Sequence, residues 1–181
     1  MGSDKSQLLV QNETFVERIA GELAKVTEQV SVVGRAEQAY SGLAIVHDLH
    51  PHWGALGGVH GALAACTAEW ALVVACDLPR VKASLFHRLL SLSQNFDAVA
   101  PLQPDGRRQP LCALYRVAEC LQQSAALIES GERKPVALLQ SVSTRWVQFA
   151  ELADLPGAEA FFDNINTPQD YRRISQESGT D

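Results

Sequence analysis

Asp77 closes the stretch "AEWALVVACDLPRV", residues 68–81. Every residue from Trp70 to Cys76 is apolar, and a carboxylate then arrives two positions before Pro79. An apolar run of strand length that ends in a lone acid can hold that acid rigidly at the rim of a sheet. Ligands of open α/β sheets bind outside the carboxyl ends of the strands. A hard oxygen donor in such a place suits Mg²⁺ carrying a nucleotide phosphate. Equally, an aspartate ahead of X-Pro can do no more than shape a turn. Asp48 repeats the pattern at the end of "LAIVHD" and is followed by "LHPHWGALGGVHGAL". Gly54, Gly57 and Gly58 are expected to form a loop whose amides face an anion at a helix start. Lys5, in "MGSDKSQLL", offers a cation. Asn164 and Asn166, in "FFDNINTPQDY", share a side if the chain is extended, and their amides can hydrogen-bond a polar heterocycle or simply satisfy loop backbone. His47, His50, His52 and His60 crowd one segment without a known metal-ligand spacing.

These groups need a scaffold, and the hydrophobic periodicity outlines one. Phe15, Val16, Ile19, Leu23 and Val26 fall at helical spacing. "QVSVVGR" and "LAIVHD" read as strands, "GGVHGALAAC" as a helix, and "WALVVAC" as a central parallel strand covered on both faces. "KASLFHRLLSLS" returns to helical period. "FDAVAPL" and "PLCALY" are strands joined by the turn "QPDGRRQ". "VAECLQQSAALIESG" is a helix capped by Gly131, "ALLQSV" a short helix and "RWVQF" a strand. "TPQDYRRIS" opens a helix with Thr167 as N-cap and Pro168 at its first position. Strands alternating with helices predict an α/β domain with a mostly parallel sheet flanked by helices, one domain over residues 1–174 followed by a polar tail, 175–181.

Composition narrows the function classes. With 181 residues, 46% of them hydrophobic and 20% charged, the chain can build a full core. A net charge of −6 without basic clusters argues against nucleic acid or an anionic membrane as partner. Apolar runs of strand length predict no membrane span and no signal peptide. Cys66, Cys76, Cys112 and Cys120 form no CxxC pair and read as buried free thiols of a cytoplasmic protein. Neither a nucleophile elbow nor a P-loop occurs.

Taken in order, "MGSDKSQLL", "VHDLHPHWGALGGVHGAL", "LVVACDLP", "RRQPLCALY" and "NINTPQDY" resemble the molybdenum cofactor guanylyltransferases. The resemblance runs from residue 1 to about 174 and implies a Rossmann-like nucleotidyltransferase fold. It also implies Mg²⁺-dependent transfer of GMP from GTP to molybdopterin cofactor, with pyrophosphate released. Residue by residue, it implies nucleotide contacts for Lys5 and Asp48, metal binding and catalysis for Asp77, catalysis also for Lys5, and molybdopterin contacts for Asn164 and Asn166. Molybdoenzymes or cofactor-delivery proteins become candidate partners. The family's chains carry a strand and a Leu-x-Gly-Gly-x-Ser-x-Arg loop ahead of Met-Gly, where this sequence begins. That strand is expected to be the innermost of the sheet and its loop the main triphosphate cradle. Val32 and Ala55 depart from the family pattern, which bears on base choice. The competing readings are a related transferase using CTP or a sugar phosphate, and a molybdopterin-binding protein without catalysis.

Overall fold

The computed structural model describes residues 9–10, 13–34, 42–50 and 52–165. Lys5, Asn166, the helix expected from Thr167 and the polar tail lie outside them. Thr14 closes a short antiparallel pair, β1 (Leu9–Val10) and β2 (Glu13–Thr14), which the periodicity did not signal. It also starts α1 (Phe15–Leu23) through a reciprocal capping box. The Thr14 hydroxyl accepts the Glu17 N–H at 3.2 Å, and the Glu17 carboxylate accepts the Thr14 N–H at 2.8 Å.

The remaining elements are β3 (Ser31–Gly34), β4 (Ala44–His47), α2 (Gly54–Ala65), β5 (Trp70–Val74), α3 (Ala83–Ser91), β6 (Ala98–Pro101), β7 (Cys112–Arg116), α4 (Val117–Glu129), α5 (Pro135–Ser141) and β8 (Thr144–Val147). Four strands pair in the order β5-β7-β6-β8, and β3 pairs with β4 in parallel. Within the four-stranded sheet β5, β6 and β8 run the same way, and β7 alone is reversed.

The two faces of this sheet are read directly from the alternation of side chains. Val99, Cys112 and Leu114 point into a core under α1 and α3. Ala98, Ala100, Ala113 and Tyr115 point into a second core under α2, α4 and α5. The long apolar runs of β6 and β7 follow from this: each residue is covered whichever way it faces.

Three expectations need correction. Among the described residues β5 is not a central strand with parallel neighbours. It pairs antiparallel with β7, stands at the edge of the four-stranded sheet, and is mostly half-buried. Its apolar run reflects two covered faces: Trp70, Leu72 and Val74 pack against the core under α1 and α3, and Ala71 and Val73 against the core under α2. Gly57 and Gly58 are not loop residues either; they lie inside α2, and only Gly54 opens it, at φ +68. Gly57 lets α2 approach the preceding loop: a Cβ there would sit 3.0 Å from both the His50 carbonyl oxygen and the Trp53 Cβ. Cys76 is exposed and Cys66 half-buried, so only Cys112 and Cys120 are the buried thiols expected.

One buried polar contact ties α2 to α4. Ser124 donates its hydroxyl proton to the Leu121 carbonyl at 2.9 Å, so its oxygen accepts from His60 Nδ1–H at 2.8 Å. Burial first, and the neighbouring His50 second, hold the His60 imidazole below its ordinary 6.5. An unfolded chain then takes up the proton first as pH falls. His60's contribution to stability is therefore complete above pH 6.5 and is lost as pH drops below it. The melting temperature should fall between pH 7 and pH 5, with a shallower fall in His60→Gln. Identical slopes in the two proteins would exclude His60 as the titrating group.

Candidate active site

Asp77 is delivered by β5 as the sequence suggested. Ala75 prolongs the contact with the reversed strand's side by donating its N–H to Leu111 O at 2.8 Å, and Leu78 N–H turns back to Ala75 O at 3.2 Å. Leu78 and Pro79 are buried, so the turn is fixed from beneath, while Asp77 stays half-buried at the rim. Its carboxylate has no hydrogen bond or ion pair among the described residues. The chain leaves this turn into α3, whose first N–H, that of Ala83, is capped by the Glu22 carboxylate of α1 at 2.8 Å.

The last described segment returns to the same place. Ile165 donates its N–H to the Asp77 carbonyl oxygen at 3.1 Å, and its side chain is buried, 1% exposed. Arg80 pairs with Asp163 at 3.4 Å across the same joint. Asn164 lies between these two contacts and is exposed. The structure thus brings Asp77 and Asn164, which are far apart in sequence, to one rim. Ile165, Arg80 and Asp163 were missed as positioning residues. The signal available was small: one apolar residue set between two asparagines, and opposite charges in "DLPR" and "FFDN".

Asp48 lies elsewhere, just past the end of β4. Its carboxylate oxygen Oδ1 accepts the His50 N–H at 2.9 Å, which shapes the loop leading to α2. Among the described residues no group of three or more histidine, cysteine, aspartate or glutamate side chains could hold a metal ion.

Between β5 and β3, the strand paired with β4, is a cleft of about 940 Å³. Its long walls are the facing strands β3 and β5, lined by Val32 and Val33 on one side and Leu72 and Val74 on the other. Ile19 of α1 and Val59 of α2 also line it. Among the described residues β3 pairs only with β4, and β5 only with β7.

The sequence profile of the MobA-like NTP transferase domain matches residues 1–146. The chain belongs to the MobA-like NTP transferase family. A probable molybdenum cofactor guanylyltransferase of Pelotomaculum thermopropionicum is 31% identical over 172 residues, 94% of this chain and 83% of that protein. The molybdenum cofactor guanylyltransferase of Vibrio vulnificus is 25% identical, over 97% of this chain and 88% of its own length. Among solved structures, molybdopterin-guanine dinucleotide biosynthesis protein A from Archaeoglobus fulgidus superposes with a TM-score of 0.82 at 23% identity, covering 99% of this chain and 93% of that one. The 2-C-methyl-D-erythritol 4-phosphate cytidylyltransferase of Thermus thermophilus superposes at 0.73 with 18% identity, over 97% and 94% of the two chains. The α/β nucleotidyltransferase fold is shared with both.

The joint at Asp77 yields a stability prediction. Truncating buried Ile165 to alanine should cost about 3 kcal/mol in urea denaturation, from lost burial and the cavity left behind. Arg80→Ala, which removes a partly exposed ion pair, should cost less than about 1 kcal/mol. Equal small losses in both would mean that the 163–165 segment is not anchored through Ile165.

Proposed function

We propose that this member of the MobA-like NTP transferase family is a molybdenum cofactor guanylyltransferase, transferring GMP from GTP to molybdopterin cofactor. The observation that carries the reading is the shared rim of Asp77 and Asn164, held by the Ile165–Asp77 hydrogen bond. The names of the relatives support the choice of substrates. In the reaction, a terminal phosphate oxygen of molybdopterin attacks the α-phosphorus of GTP. A new P–O bond forms there, the bond from that phosphorus to the α,β-bridging oxygen breaks, and pyrophosphate leaves with the electron pair. The attacking oxygen is already anionic, so the chain needs no general base. Its task is to align the reactants and offset their charge.

Magnesium takes oxygen ligands and is commonly held by one or two carboxylates together with substrate phosphates. A half-buried aspartate with no partner among the described residues fits that donor set, and Asp77 is the residue that would hold the ion. When bound, Mg²⁺ neutralises phosphate charge. Asp48 contacts the nucleotide from the end of β4, Lys5 adds positive charge at the phosphates, and Asn164 with Asn166 orients the pterin partner. Molybdoenzymes or cofactor-delivery proteins then accept the product. A cytoplasmic site of action agrees with four free cysteines and with the lack, among the described residues, of a helix long and apolar enough to cross a membrane.

The cleft between β3 and β5 supports the expectation drawn from the resemblance that a further strand and a Gly-Gly loop belong with this domain. A strand lying between them, parallel to β5, would pair with both edges and cover Leu72 and Val74. Its following loop would emerge at the rim beside Asp77, where backbone N–H groups can cradle a triphosphate.

Two measurements follow. With GTP, Mg²⁺ and molybdopterin, chromatography should reveal the guanine dinucleotide form and pyrophosphate. Asp77→Asn should lower that turnover by about 100-fold or more while shifting stability by less than about 0.5 kcal/mol. Preferred use of CTP would favour the related-transferase reading, and unchanged turnover in Asp77→Asn would remove Asp77 from the chemistry. Adding the expected strand and Gly-Gly loop should tighten GTP binding by at least about ten-fold through added phosphate donors and raise the melting temperature. Equal GTP affinity with and without the addition would contradict the cradle.

A further inference from the structure

The loop between β4 and α2 is fastened to a distant part of the chain. The Trp53 indole N–H donates to the Glu132 carbonyl oxygen at 2.7 Å, across 79 residues of sequence. Arg133 stacks over the same indole, with its guanidinium carbon 4.9 Å from the ring centroid. Leu56, in the first turn of α2, donates its N–H to the Arg133 carbonyl at 3.4 Å. Glu132 in turn fixes its own turn by accepting the N–H groups of Arg133 and Lys134 at 2.8 and 2.9 Å. On the loop side, Trp53 N–H donates to His50 O at 2.9 Å, and His50 N–H donates to Asp48 Oδ1. An unbroken series of contacts therefore runs from the turn after α4 through Trp53 and His50 to the Asp48 carboxylate.

We infer that Trp53, seated on Glu132 and Arg133, is a positioning residue that sets the Asp48 carboxylate for the nucleotide. The inference rests on the reading of Asp48 as a nucleotide contact. The chemistry is that of an indole used as a peg. Its N–H finds a fixed carbonyl, and the planar guanidinium covers its face. One hydrogen bond and one stacking contact suffice to choose among the conformations of a short surface loop. Nothing in this series touches the Asp77–Ile165 joint. Loosening the peg should weaken the nucleotide half of the site and spare the pterin half.

The test is a double-mutant cycle read by titration calorimetry with GTP and, separately, molybdopterin. Trp53→Phe keeps a ring for Arg133 but loses the N–H donor. It should weaken GTP binding about three- to ten-fold, as expected for one lost hydrogen bond, with molybdopterin affinity changed less than about two-fold. In an Asp48→Ala background, Trp53→Phe should have no further effect on GTP. Arg133→Lys should retain more GTP affinity than Arg133→Ala. Equal weakening of GTP and molybdopterin by Trp53→Phe would overturn the inference in favour of a general structural role. So would the same GTP loss in both backgrounds. If Asp48→Ala itself leaves GTP binding unchanged, the reading of Asp48 falls and the peg falls with it. If Asp48→Ala weakens GTP binding but Trp53→Phe does not, only the peg is wrong.

Discussion

A β-strand has two edges and two faces, and β5 is the element on which all four bear most heavily. It carries Asp77. One edge is fixed by β7, which runs antiparallel between β5 on one side and β6 on the other. One face is covered by the core under α1 and α3, the other by the core under α2. The second edge faces β3 across an apolar cleft. Among the described residues that edge has no pairing strand, and Leu72 and Val74 are half-buried. The rigidity of the rim beyond β5 therefore depends on β7, on the buried turn at Leu78 and Pro79, and on Ile165 closing over the Asp77 carbonyl.

The division of the site into two halves follows from the same arrangement. Asn164 is locked to the Asp77 turn by neighbours on both sides of it. Asp48 belongs to the other side of the cleft, on a loop that is held by its own contacts to His50, Trp53 and the turn after α4. The proposed reaction joins two bulky anionic partners, and two independently fixed surfaces, one of them at Asp77, the carboxylate proposed to hold Mg²⁺, suit it. The negative overall charge makes local placement of donors and of a cation more important than any long-range attraction.

Much of this was legible in the sequence. Helical spacing located α1, α3 and α4, and Gly131, at φ +91, ends α4 as its position suggested. The short apolar and β-branched runs located β3 to β8, and in β6 and β7 the lack of polar alternation reflects burial on both faces. What periodicity could not give was pairing. An apolar run states that a strand will be covered but not by which neighbour, so β5 read as a central parallel strand. The glycines after Asp48 read as a loop because glycine favours turns, whereas Gly57 serves close packing of a helix against the His50 carbonyl. The Ile165–Asp77 bond and the Trp53 peg were invisible for a plainer reason. Both are contacts to backbone carbonyls, 88 and 79 residues away in sequence, and a carbonyl carries no residue-type signal.

Amide hydrogen exchange along Ser31–Gly34 and Trp70–Val74 tests the account most directly, because everything at the rim hangs on how β5 is held. The 181-residue chain should be compared with the same chain carrying the expected strand and Gly-Gly loop ahead of residue 1. Alternate amides of β3 and β5 should slow by roughly ten-fold or more in the extended chain as the facing edges become paired, with β8 at the far edge unaffected. Equal exchange at β3 and β5 in the two chains would mean that no strand enters the cleft, and it would contradict the account of how the site is completed.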